Sequence, residues 1–185
     1  LAIFSMLTAF MVVGTPASAH GFNETGTLRD ITTQAQIQNN KYKLGQEFEK
    51  KKEFKEAVRS YREAVAVNPQ DAVANRALAR VLSWQGELAE SMMIYQALIL
   101  SDPFDYEART GIARVLSWQG KFDLAEKHYK ALFSEFPNNP DILFGLGELT
   151  SWQGRFSEAL EYLDQARNLA PQWVDIYTAL GDVSS

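Results

Sequence analysis

The sequence predicts an all-α solenoid of helix–turn–helix repeats, and three observations predict it. The stretches Val81-Leu82-Ser83-Trp84-Gln85-Gly86, Val115-Leu116-Ser117-Trp118-Gln119-Gly120 and Leu149-Thr150-Ser151-Trp152-Gln153-Gly154 are near copies, with tryptophans 34 residues apart and then 34 again. Prolines recur in the same phase at Pro69, Pro103, Pro137 and Pro171. Each period holds two apolar stripes at helical spacing, such as Leu78 with Leu82, then Leu88, Ser91, Tyr95 and Leu98. A fixed period of this length marks small units that bury their apolar faces against one another in a stack.

The elements follow in order. Residues 1–13 are apolar and uncharged, Gly14-Thr15-Pro16 breaks the run, and Ala17-Ser18-Ala19 is a small-x-small cleavage site. Residues 1–19 therefore read as a secretory signal peptide cut before His20, too short for a comfortable membrane span. Residues 20–37 form a polar lead-in, whose second half from residue 31 extends the first helix of unit one. Four units cover residues 38–71, 72–105, 106–139 and 140–173, and residues 174–185 are the first helix of a truncated fifth. Gly86, Gly120 and Gly154 lie between the two stripes and end each first helix with a left-handed residue. Each proline ends a second helix, because it lacks an N–H and clashes with the preceding turn. Asn139 followed by Pro140 supplies a cap and then a proline at a helix start. Ala57, Ser91, Ala125 and Ala159 let paired helices approach closely. Unit one departs from the pattern: Lys52 replaces the turn glycine, no Trp-Gln precedes it, and it carries eight Lys or Arg. A divergent polar end repeat is what a solenoid cap needs. At the other end, Leu180-Gly181 falls where the Leu-Gly pair of a fifth unit belongs, so further chain is expected after Ser185.

Leu44-Gly45, Phe48, Phe54, Ala57, Tyr61, Ala64 and Pro69 make the repeat specific. Position for position, over residues 38–185, the pattern resembles the tetratricopeptide repeat (TPR). The resemblance implies a TPR-type α-solenoid that acts as a binding scaffold, with no reaction. In that family the first helices line a concave groove through the second, fifth, ninth, twelfth and thirteenth repeat positions. Carried over, unit one gives Tyr42, Gln46 and Glu49, and unit two gives Arg76, Arg80, Ser83 and Trp84. Unit three gives Thr110, Arg114, Ser117 and Trp118. Unit four gives Phe144, Glu148, Ser151 and Trp152, and the fifth adds Thr178, Asp182 and Ser185. The general pattern leaves the thirteenth position free, so the threefold tryptophan is particular to this chain. Helices packed about 8–10 Å apart would set the indoles in a ladder. Arg80 stands four residues before Trp84, and Arg114 four before Trp118, within reach of cation–π contacts. Two readings of the indoles stay open: packing against the neighbouring repeat, or presentation to a ligand. Arg80 and Arg114 against Glu148 and Asp182 make the groove basic in units two and three and acidic beyond.

Composition narrows the chemistry. There is no cysteine, hence no disulfide, Cys-based zinc site or thiol nucleophile. A formal net charge of −5 argues against a nucleic-acid partner. Lys50, Lys51, Lys52 and Lys55 alternate with Glu47, Glu49, Glu53 and Glu56, as on a solvated, ion-paired helix surface. The two histidines, His20 and His128, lie far apart in the sequence, so no metal site is expected. No serine sits in a nucleophile elbow and no glycine loop is shaped for phosphate. Glu158 and Glu161, three apart on a helix, face water. No cofactor and no catalytic residue are expected, and the chain does not read as an enzyme. The Leu-Ser-Trp-Gln-Gly turn after a signal peptide is similar to the periplasmic TPR segments of outer-membrane barrel proteins, YaiO-like and exopolysaccharide-export proteins among them. That resemblance implies an exported, periplasmic module that holds a protein or peptide in its concave groove. It would meet the outer membrane only through a C-terminal region beyond this sequence. A polysaccharide in the Trp–Arg–Ser groove is the alternative occupant, and the regulatory arm of an enzyme whose catalytic domain lies outside this chain is a third reading.

Overall fold

The computed structural model describes residues 24–184, with side chains from residue 32 onward. Among these residues the fold is all-helical: α1 Glu24–Lys50, α2 Phe54–Val67, α3 Ala72–Trp84, α4 Leu88–Ser101, α5 Tyr106–Trp118, α6 Phe122–Glu135, α7 Pro140–Trp152, α8 Phe156–Leu169 and α9 Val174–Val183. The signal-peptide expectation and Ser185 lie outside the described residues. The helical extension expected from residue 31 begins earlier in the lead-in. It is helical from Glu24 and continuous with α1, since no proline or turn-forming pair interrupts the chain before Lys50.

Local chemistry sets the helix ends. Asp71 caps α3 by accepting from the N–H groups of Val73 and Ala74, Asp105 caps α5 at Ala108, and Asn139 caps α7 ahead of Pro140. The first helices of units two to four stop at the repeated Trp-Gln-Gly. Gly86, Gly120 and Gly154 take φ of 85°, 73° and 75°. The next N–H then returns to the last turn, with Glu87 to Leu82 at 3.0 Å, Lys121 to Leu116 at 2.9 Å and Arg155 to Thr150 at 2.9 Å. Unit one makes the same turn with Lys52 at φ 59°. A lysine there meets the steric penalty that glycine avoids. Lys52→Gly is therefore expected to raise stability by roughly 0.5–1 kcal/mol, read as a higher urea midpoint with an unchanged slope.

Paired helices meet on small residues. Ala57, Ala125 and Ala159 are fully buried, and Ser91 donates its hydroxyl to the Ala79 carbonyl at 2.7 Å. Ala125→Leu is expected to overpack the α5–α6 contact, at about 1–3 kcal/mol, seen as a lower melting temperature. Adjacent repeats lock through tyrosine on glycine. A Cβ added to Gly111 or Gly145 would lie 2.3 Å from the Tyr95 ring or 2.5 Å from the Tyr129 ring, so the bare backbone lets each ring lie flat on the next first helix.

Stacking places the groove. Each helix packs mainly on its neighbours in sequence, and the first helices also touch one another, α3 with α5, α5 with α7 and α7 with α9. The second helices, α2, α4, α6 and α8, stand outside this inner row. The first helices accordingly form the inner wall of a curved stack.

Candidate functional site

The inner wall encloses one large open cavity of about 1050 Å³. All five first helices contribute to it. Gln46 and Glu49 come from α1, Arg80 and Trp84 from α3, Arg114 and Trp118 from α5, Phe144 and Glu148 from α7, Thr178 and Asp182 from α9. Of the residues named for the groove from sequence, Ser83 also borders it, while Tyr42, Ser117, Ser151 and Trp152 do not line it. Arg76 and Thr110 line a smaller adjoining cavity of about 100 Å³ with Arg80, Tyr95 and Arg114.

The indoles are neither fully packed nor bare. Trp84 is 39 % exposed, with the Phe54 ring 5.4 Å away and the Arg80 guanidinium 5.6 Å from its ring centre. That contact is the cation–π pair expected from the four-residue spacing. Trp118 is half-buried and faces the cavity beside Leu88, the counterpart of Phe54. Trp152 is 45 % exposed, outside the cavity. Trp84 thus leans on the preceding repeat, and all three indoles keep part of their surface free.

The hydroxyls named for the groove turn to their own backbone, even where, as at Ser83, the residue borders the cavity. Ser83 donates to the Arg80 carbonyl at 2.6 Å, Ser117 to Ala113 at 3.0 Å and Thr110 to Tyr106 at 2.7 Å. All three are buried. A short hydroxyl on a packed helix face reaches its own preceding turn more easily than a ligand across the groove.

The charge pattern differs from the expectation in unit two. Arg80 is held by Glu49, with Nε and a terminal nitrogen each 3.0 Å from a carboxylate oxygen. Arg76 is held by Asp105 at 2.8 Å and Glu107 at 2.7 Å. Unit two therefore spends its two cations on tying repeats together. In unit three Arg114 makes no ion pair with a described residue. Burial works against its charge, but the surrounding Tyr129, Tyr95, Asp141 and Glu148 hold its pKa above the ordinary value. Burial pushes the neighbouring Tyr129 phenol up to about 12, with the Arg114 charge opposing the rise. Beyond it the groove is acidic: its lining from α7 and α9 includes Asp141, Glu148, Asp175 and Asp182 and no basic residue. Burial pushes the Glu148 carboxyl up to about 7, with Arg114 opposing and Asp175 adding to the rise.

Several lining residues were missed, Phe54 and Leu88 at the starts of α2 and α4 among them. Asp141 and Asp175 occupy the second repeat position, which the family pattern itself names. Trp173 stands at the last repeat position, where that pattern gives no cue, and packs 4.8 Å from Phe144.

Among the described residues no cluster of three or more His, Cys, Asp or Glu is placed to hold a metal, and no helix is long and apolar enough to cross a membrane. His128 is exposed on α6, and His20 lies outside the described residues.

Comparison with known proteins agrees with this geometry. The tetratricopeptide repeat model matches residues 50–115 and again 116–182. The chain belongs to the tetratricopeptide repeat family. TTC0263, a thermophilic TPR protein of Thermus thermophilus, superposes with a TM-score of 0.71 at 20 % identity, over 79 % of this chain and 80 % of that one. PilW, a type IV pilus biogenesis factor, gives a TM-score of 0.63 at 21 % identity, over 86 % and 78 %. YrrB, a TPR protein with an unusual peptide-binding site, gives 0.56 at 19 % identity, over 85 % and 88 %. At these identities the likeness is one of fold. No curated protein matches the chain. TPR folds are in general scaffolds without catalytic machinery.

Proposed function

We propose that this TPR module is an exported interaction scaffold whose concave groove holds an extended segment of a partner protein. The observation that carries the reading is the cavity of about 1050 Å³ to which all five first helices contribute. Its walls combine apolar surface from Leu88, Trp118, Phe144 and Trp173 with charges of both signs. This mixture suits a peptide, whose side chains alternate in character and whose backbone needs polar neighbours. The peptide-binding site of YrrB and the pilus role of PilW lend support by analogy of fold. The envelope setting rests on the sequence of residues 1–19 and on the likeness of the Leu-Ser-Trp-Gln-Gly turn to periplasmic TPR segments. An outer-membrane or polysaccharide-secretion role follows from the same likeness.

The groove is tested by binding of synthetic peptides to the whole chain and to Trp118→Ala. Loss of binding in a variant that stays folded supports the reading, and unchanged binding overturns it. Export is tested separately by mass spectrometry of the protein secreted from a host carrying the gene. His20 is the expected mature N-terminus, and a product retaining residues 1–19 would refute it.

A further inference from the structure

The repeat supplies an internal comparison. Glu49, Tyr61 and Arg80 form one cluster across units one and two: the Tyr61 hydroxyl donates to the Glu49 carboxylate at 2.6 Å, and Arg80 grips the same carboxylate through two nitrogens. A shift of 34 residues carries this triad onto Ser83, Tyr95 and Arg114. The phenol and the guanidinium are repeated, but the carboxylate is gone. Ser83 is too short to replace it and turns to its own backbone. A second shift gives Ser117, Tyr129 and Glu148, where the cation is lost too. Of these three registers, one keeps the phenol and cation of the cluster without its acid.

That register shows what the missing acid leaves behind. Tyr95 is 4 % exposed, and its hydroxyl has no hydrogen-bond partner among the described residues. It shares the cavity of about 100 Å³ with Arg114, and Arg114 also faces the main groove. The other charges there do not fill the gap. Glu107 is committed to Arg76, while Asp141 and Glu148 face Arg114 from α7 without an ion pair.

We propose that Arg114 and Tyr95 receive an aspartate or glutamate side chain of the partner's extended segment, in the place that Glu49 fills one repeat earlier. The inference rests on the groove reading and names the chemistry of its occupant. The carboxylate belongs to a peptide because the filled copy of the cradle holds a peptide side chain, and because Trp118, Leu88 and Phe144 offer apolar surface beside it. The acidic lining from α7 and α9 sets direction: the acidic end of the segment lies toward α3 and α5, and any basic residues lie toward α9. A charge-assisted pair with one guanidinium and a phenol typically favours the acid over its amide by about tenfold.

The test uses an array of apolar octapeptides with one central Glu, beside the same peptides with Gln, presented to the whole chain. The Glu series is expected to bind about tenfold tighter. Arg114→Gln should abolish that preference. Ser83→Glu should abolish it as well, by filling the cradle from within. Folding is followed in parallel: Ser83→Glu should raise the melting temperature, and should lower it when Arg114→Gln is also present. Equal binding of both series sinks this inference and leaves the groove reading standing, whereas binding of neither series sinks both. A Ser83→Glu protein that keeps the Glu preference, or that is destabilised equally with and without Arg114, overturns the cradle. Indifference to the peptides with preference for an oligoglucuronate would give the cradle to a glycan and overturn the assignment made here.

Discussion

Tyr129→Ala is expected to lower the unfolding free energy by roughly 3–5 kcal/mol, the range of a large core aromatic. The ring is fully buried and lies on Gly145 so closely that no Cβ fits between them. Its loss opens a cavity that the rigid backbones of α6 and α7 cannot close. It also removes the phenol that lies beside the half-buried Arg114 guanidinium. In a solenoid this damage falls on the contact between units three and four, so cooperativity between the halves should suffer along with stability. Trp118→Ala supplies the contrast. That indole is as large, but part of its surface lies in the groove, so its truncation should cost less, on the order of 1–2 kcal/mol. Urea denaturation of the two variants ranks them. If Trp118→Ala is the more damaging, the tryptophans are core residues and the groove loses its aromatic wall.

The features that could be foreseen are the local ones. The left-handed turns at Gly86, Gly120 and Gly154, the Asn139–Pro140 helix start and the close-packed Ala125 and Ala159 depend on residues within one unit, and the 34-residue phase displays them. The cation–π contact of Arg80 with Trp84 was legible for the same reason, as both side chains share one face of α3. What escaped depends on how one repeat is turned against the next. Arg80 lines the groove as expected, but α3 sits so that its guanidinium is also held by Glu49 of α1. Arg76 likewise reaches Asp105 at the end of its own unit and Glu107 at the start of the next. The period gives the rise from unit to unit and not the rotation, and rotation decides which ion pairs close. Ser83, Thr110 and Ser117 illustrate a second limit. A groove position assigned by pattern says where the Cβ points, while the hydroxyl chooses between a ligand and the carbonyl one turn back. Lys52 shows the opposite case: its divergence from glycine was visible, yet its left-handed backbone follows from the fold, because the α1–α2 turn must match those of the other units.

The pH dependence of stability should carry the signature of Glu148. Burial raises its carboxyl to about 7 in the folded chain, against about 4.3 for an ordinary glutamate. Between those values the native state holds a proton that the unfolded chain has released. By linkage, stability falls as pH rises through this window, and the contribution is complete below it. Its size is about 4 kcal/mol at most, less wherever water enters the open groove. Burial fixes the sign, and the groups facing Glu148 adjust the size. Arg114 on α5 favours the charged form, while Asp175 on α9 opposes it, and the Tyr129 phenol on α6 lies close enough to feel the charge. Two other residues act in the opposite sense. His128 has its pKa lowered by partial desolvation and by Lys127, so its neutral form adds stability as pH rises toward 7. Glu126, bound by Arg155 and Lys130, is held down at about 2 and loses its contribution only as pH falls below the ordinary carboxyl range. Glu148→Gln should therefore leave stability near pH 4 almost unchanged and raise it near pH 8 by roughly 1–3 kcal/mol. Denaturant midpoints of the native and variant chains across that range measure the difference directly. Parallel curves would mean that Glu148 is solvated in the groove and ionises as any surface glutamate does.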